Sequence, residues 1–180
     1  MIQIQQIHHV AYRCRDAKQT AQFYKEHLNM DLLVCIAEER VPSTKEPDPY
    51  MHVFLDAGNG NILAFFEITG QPPMGRDLNT PAWVQHIAFQ VVDSEALLSA
   101  KKELEEKGLE VVGVTEHGII RSIYFFDPNG HRIELTCVVG TPEQMKHLKE
   151  IAPLMLEEWS RTKKPPRQSA WLHADEFAKK

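Results

Sequence analysis

HHVAYRCRD at residues 8–16 and QHIAFQVVD at residues 85–93 are two versions of one phrase. Each holds a His, runs through β-branched and aromatic residues, and closes on an Asp that can cap a helix. At an offset of 77 residues, His9 falls on His86, Ala11 on Ala88, Asp16 on Asp93, Leu32 on Leu109 and Val34 on Val111. Val10/Ile87 and Tyr12/Phe89 are conservative pairs. A repeat of this kind marks a duplicated folding unit.

The elements around the two phrases repeat in the same order. In the first half, residues 4–14 read as a strand. Asp16 reads as an N-cap, with Gln19 in the capping-box position. Residues 17–29 read as a helix with Ala21, Phe23, Tyr24 and Leu28 inward. Strands follow at 31–36, 51–56 and 62–69, the last two joined by the Gly-Asn-Gly-Asn turn at 58–61. The second half gives a strand at 83–92, an Asp93 cap and a helix at 94–107 with Leu97, Leu98, Ala100 and Leu104 inward. Gly108 ends that helix. Strands follow at 109–114, 121–126 and 132–138, with Asp-Pro-Asn-Gly at 127–130. The expected class is α+β: two tandem βαβββ modules, at about 5–69 and 83–138, in a domain of residues 1–140. Either module alone is short of core, so the two should form one folded body. Residues 141–180 lie outside the repeat. They predict a helix with Thr141 as N-cap and an apolar stripe of Met145, Leu148, Ile151, Met155 and Trp159, then a tail in which Trp171, Leu172 and Phe177 could dock.

Composition excludes several classes. The chain has 180 residues, 43% apolar and 25% charged, as ordinary globular chains do. Its formal charge of −5 argues against a general nucleic-acid binder. No apolar run approaches the roughly 18 residues that cross a bilayer. The N-terminal residues lack the pattern of a signal peptide. Cys14, Cys35 and Cys137 are odd in number and far apart, so they read as reduced thiols of a cytoplasmic protein.

Nine His remain to be explained. Two of them, His9 and His86, sit at equivalent points of the repeat. Glu134 lies in the last strand of the second half and Glu67 in the last strand of the first. Two His and one carboxylate form the facial set that leaves coordination positions open, as in non-haem iron(II) sites. Adding Glu67 would give a two-His, two-Glu set. Taken alone, each of these residues also fits an ordinary packing or surface role.

The βαβββ repeat carrying HHVAYRCRD and QHIAFQVVD resembles the vicinal oxygen chelate superfamily, which includes glyoxalase I, fosfomycin- and bleomycin-resistance proteins and type I extradiol dioxygenases. The resemblance covers about residues 5–138. It implies two modules forming an open, barrel-like sheet around a divalent metal, with His9, His86 and Glu134 at the ligand positions. TEHGIIRSIYFFDPNGHRIE (115–134) is similar to the extradiol signature, with His117, Tyr124, Asp127, Pro128, Gly130 and Glu134 in its slots. That similarity implies Fe(II) on His9, His86 and Glu134, a catecholic substrate, and His117 and Tyr124 as groups that bond substrate or oxygen. The strand holding the family's acid–base His has Leu63 here, and His52 on the neighbouring strand is a substitute. The glyoxalase pattern implies the alternative: nickel, zinc or manganese on His9, Glu67, His86 and Glu134, with a Glu as base of an isomerisation. A metal-free binding protein of the bleomycin-resistance kind is the third reading. The expected partners are a small molecule with vicinal oxygens and a second copy of the chain. Neither nucleic acid nor membrane is expected. The loops at 38–49 and 70–81 are candidate substrate lids.

Overall fold

The computed structural model describes residues 2–75 and 77–167. It divides into two compact units. The first takes the chain up to Gln85 together with Phe126–His131; the second takes His86–Phe125 and the chain from Arg132 onward. Both modules of the repeat are present, each an open four-stranded mixed sheet with one helix, and a third helix follows them. This is the α+β class expected from the repeat.

In the first unit, β1 (Val10–Cys14) leads into α1 (Ala17–Leu28), then β2 (Leu32–Glu38), β3 (Tyr50–Asp56) and β4 (Ile62–Ile68). The sheet order is β1-β4-β3-β2, with β1 parallel to β4 and the other pairs antiparallel. The Asp16 carboxylate accepts from the Gln19 N–H at 2.7 Å and fixes the start of α1. Asn29, at φ 54°, ends it in the left-handed region that Asn tolerates. Ala17, Thr20, Phe23 and Tyr24 are the buried residues of α1. The Tyr24 ring packs at a 40° tilt against Phe65 of β4, with centroids 5.1 Å apart. Val53, Leu55 and Leu63 complete this core. Ala21 and Leu28, also expected inward, are half-buried.

The turn at 127–131 joins the same unit. The Asp127 carboxylate accepts from the backbone N–H groups of Asn129 and His131 and from the Tyr24 hydroxyl at 3.3 Å. Asn129 donates to the Thr20 hydroxyl and accepts from the Arg15 N–H. Burial, with the Asp127 charge adding to it, holds the Tyr24 phenol well above its ordinary pKa.

In the second unit, β5 (His86–Gln90), α2 (Ser94–Glu106), β6 (Val112–Glu116), β7 (Ile120–Phe126) and β8 (Arg132–Val138) repeat the order, with sheet order β5-β8-β7-β6. Phe126 alone of β7 counts with the first unit. Asp93 caps α2 through the Ala96 N–H at 2.8 Å. Gly108, at φ 86°, closes it: its N–H bonds to the Glu105 carbonyl, and the Leu109 N–H bonds to the Leu104 carbonyl. Leu97 and Leu104 are buried, whereas Leu98 is 51% exposed and leaves the inward set.

Expected strand boundaries move. Residues 4–9 have strand character, yet ladder pairing begins only at Val10, opposite Leu63. Leu109 belongs to the cap of α2, so β6 begins at Val112 rather than 109. The third helix, α3 (Pro142–Thr162), has the expected capping box of Thr141 and Gln144. Its half-buried stripe keeps Leu148, Ile151 and Met155 but exposes Met145 and Trp159. The tail holding Trp171, Leu172 and Phe177 lies outside the described residues. Among the described residues, no helix is long and apolar enough to cross a membrane.

Candidate functional site

Alternation along each strand separates a helix-bearing face from an open face. In the second unit, β5 and β8 run parallel, with His86 opposite Arg132, Ala88 opposite Glu134 and Gln90 opposite Thr136. Ile133, Leu135 and Cys137 of β8 are buried with Leu97 and Leu104 of α2. The other parity, Arg132, Glu134 and Thr136, therefore shares the open face with His86.

Glu134 is only 4% exposed, and a buried carboxylate needs partners. It has two. His86 Nε2 lies 3.0 Å from its Oε2, and the Ser122 hydroxyl donates to its Oε1 at 2.5 Å. Tyr124, two residues along β7 from Ser122, shares that face. Its hydroxyl is 2.8 Å from His117 Nε2, and the Arg132 guanidinium stacks over its ring at 3.9 Å. The Tyr124 pKa is raised: burial is the main cause and the Glu134 charge adds to it, against the Ser122 hydrogen bond and the Arg132 charge. Tyr124 is therefore a phenol at neutral pH, with a proton to donate.

So four predicted residues, His86, Glu134, His117 and Tyr124, come together in one unit. Sequence reasoning passed over Ser122, which stands on the Tyr124 face of the same strand. The signal was there: alternation puts i and i+2 together, and a buried carboxylate asks for a donor.

His9 belongs to the first unit, one residue before β1. It lies against Phe54 and His52, with centroids 5.6 and 6.1 Å away, and its Nδ1 is 2.8 Å from that of His8. His52 is 8% exposed and stacks on Phe66 at 3.6 Å. Its pKa is lowered, first by burial and then by the neighbouring His9 charge.

Glu67 stands on the other face of that sheet. It is opposite Cys14, which is 1% exposed on the helix side. Its Oε2 accepts from the Ala17 N–H at 2.7 Å, so it caps the N-terminus of α1, where a negative charge is favoured. The residue that matches Glu134 by register is Ala64: Ala64 pairs with Ala11 as Glu134 pairs with Ala88. The first module thus holds no carboxylate at the equivalent point. Glu67→Gln should leave metal binding unchanged and cost about 0.5–1 kcal/mol of stability through the weakened helix terminus. Urea unfolding beside a metal titration of the same protein checks both. Glu67 also lines a cavity of about 630 Å³ with Ala37, Arg40, Pro49, Met51 and Thr69. None of the other predicted site residues lines it.

Among the described residues, no three His, Cys, Asp or Glu side chains stand together as a metal-holding group. The donor pair in the second unit nevertheless fits a divalent ion. An imidazole nitrogen and an anionic oxygen converge, and the carboxylate has its other oxygen already bonded.

The chain resembles several known proteins. MhqA of Bacillus subtilis (strain 168), which carries the name of a ring-cleaving dioxygenase, is 30% identical over 133 residues, 72% of this chain. The chain spans only 39% of MhqA's length. The metallothiol transferase FosB of Shouchella clausii (strain KSM-K16) is 32% identical over 120 residues, 59% of this chain and 80% of FosB. A glyoxalase family protein from Enterococcus faecalis, known from its crystal structure, is 26% identical with a TM-score of 0.54, covering 73% of this chain and 96% of that one. The family profile matches residues 6–135, and the chain belongs to the Glyoxalase/Bleomycin resistance protein/Dioxygenase superfamily.

Proposed function

We propose that the protein is an extradiol-type ring-cleavage dioxygenase, with Fe(II) held by His86 and Glu134 and by His9 as third ligand, acting on a catecholic substrate. The observation that carries this reading is the His117–Tyr124 hydrogen bond beside the His86–Glu134 pair on one face. The likeness to MhqA, a protein named for ring cleavage, supports it. A bound metal supplies Lewis-acid stabilisation of charge on two neighbouring substrate oxygens. The protein's own groups do the rest. Tyr124, held as a phenol, offers its proton to a ligand oxygen when His117 Nε2 carries a hydrogen and donates to the Tyr124 oxygen. Arg132 fixes the Tyr124 ring from above.

The isomerase alternative needs Glu67 as a fourth ligand. Its position on the helix-bearing face, bonded to Ala17, favours the three-ligand set. Protein loaded with Fe(II) should take up oxygen with simple catechols and form a yellow ring-opened product, and His86→Ala should abolish both. Stable nickel or zinc without oxygen uptake supports the isomerase instead. A protein that takes no metal and is unchanged by His86→Ala overturns both enzyme readings and leaves the binding protein.

The proposed active form is a homodimer. Leu32, Leu33, Val34 and Ile36 on β2 are exposed, as are Leu154 and Leu156 on α3, and such apolar surface suits a partner copy. Light scattering on the same preparation reads the mass, and a monomer at micromolar concentration refutes this part. The cytoplasm is its proposed location. A fluorescent fusion followed through cell fractionation checks it, and recovery outside the cytoplasmic fraction counts against it.

A further inference from the structure

The two oxygens of Glu134 have different surroundings. Oε2 faces His86, and Oε1 takes the Ser122 proton at 2.5 Å. Ser122 is fully buried, so water does not compete for that proton. Thr136 Oγ1, at 3.1 Å, takes the longer arm of the same shared hydroxyl hydrogen, while the Thr136 hydroxyl donates to the Arg121 carbonyl at 3.2 Å. A carboxylate is the stronger acceptor of the two, so the shorter bond goes to Glu134. All three side chains stand on neighbouring strands of one sheet, which sets their geometry more tightly than a loop would.

The duplication supplies a comparison within the chain. Ala64 stands where Glu134 stands, and the same spacing puts His52 and Phe66 in the places of Ser122 and Thr136. In β3 and β4 those two residues face each other across the ladder. The module that lacks the carboxylate also lacks both hydroxyls. Packing alone does not require a hydroxyl at either place, since aromatic rings fill them in the first module.

We infer that Ser122, steadied by Thr136, is a positioning residue that makes Glu134 a one-oxygen metal donor. The inference rests on the reading of Glu134 as a metal ligand. A carboxylate with both oxygens free can bind a metal through both and so occupy an extra coordination position. Holding Oε1 on Ser122 leaves Oε2 alone to face the metal. That keeps a position open for a ligand that needs two.

The test uses the full-length protein stripped of metal, as wild type, Ser122→Ala, Ser122→Thr, Thr136→Val and Thr136→Ser. Co(II) is titrated into each and followed by calorimetry and by its visible absorption. Ser122→Ala should free Oε1 to reach the metal, so bound Co(II) should show an altered visible spectrum and an affinity changed on the order of 10–100-fold. Thr136→Val should show a smaller change. The variants that keep a hydroxyl, Ser122→Thr and Thr136→Ser, should recover the wild-type spectrum. Ser122→Ala with wild-type affinity and spectrum overturns the inference, as does failure of both hydroxyl-keeping variants to recover the spectrum. Wild-type protein that takes up no Co(II) overturns the metal reading beneath it, an outcome distinct from tight binding that Ser122→Ala leaves unchanged.

Discussion

Glu134→Gln should remove the proposed divalent-metal binding while leaving the chain folded. The amide keeps the size of the side chain, and its oxygen can still accept the Ser122 proton. What it loses is the charge. A neutral amide gives a divalent ion far less than an ionised oxygen does, so affinity should fall by more than the roughly 10–100-fold typical of an outer-shell change. The folding cost is smaller in proportion. The His86 side chain is 33% exposed, so its pairing with Glu134 is partly screened and is worth about 1 kcal/mol or less. Metal content after equilibration with Fe(II) or Co(II), set beside a urea unfolding curve, separates the two effects. A variant that keeps its metal would remove Glu134 from the ligand set.

Phe65→Ala does the reverse: it costs stability and leaves the donor pair alone. Phe65 is 0% exposed, rests on Tyr24 at 5.1 Å and lies 6.3 Å from the Tyr12 ring, centroid to centroid. Truncating a buried Phe typically costs about 3–5 kcal/mol, from lost transfer energy and the cavity left behind. That is a large share of the stability of an ordinary domain. The protein should therefore unfold at markedly lower urea, read by circular dichroism. His86 and Glu134 belong to the second unit, and His9 shares the Ala11 and Ala64 face of its sheet, opposite to Phe65, so Co(II) affinity at low urea should stay within about threefold, below what a broken outer-shell contact costs. A shift in midpoint worth under about 1 kcal/mol would mean that the cavity collapses around the missing ring.

The duplicated fold was legible because its signals are local and doubled. Asp16 and Asp93 cap helices, Gly108 ends one, and the two His-bearing strands carry one alternation. Most of the second module's candidate residues were named by resemblance to a known signature: Tyr124 and Glu134 lie on the adjacent strands β7 and β8, and His117 in the turn before β7. Glu67 was harder to place. It looked equivalent to Glu134 because both lie in the last strands of their modules, but the two hairpins are equally long and the true match is Ala64, three residues earlier on β4. Strand parity has a period of 2, so that odd step puts Glu67 on the helix-bearing face. Composition does not report the step. The outward turn of Leu98 and Trp159 has the same root: helical spacing names a stripe several residues wide, and tertiary packing picks its centre.

The turn at Asp127–His131 is encoded by the second repeat yet completes the first unit, where it satisfies the hydroxyls of Tyr24 and Thr20. The ancestral duplication is therefore no longer divisible. Any cut in the linker between the repeats strands this turn on the wrong fragment, leaving one product with an unfinished core and the other with a loop that has nothing to close. Separate halves would have to meet at this turn before the first core could close.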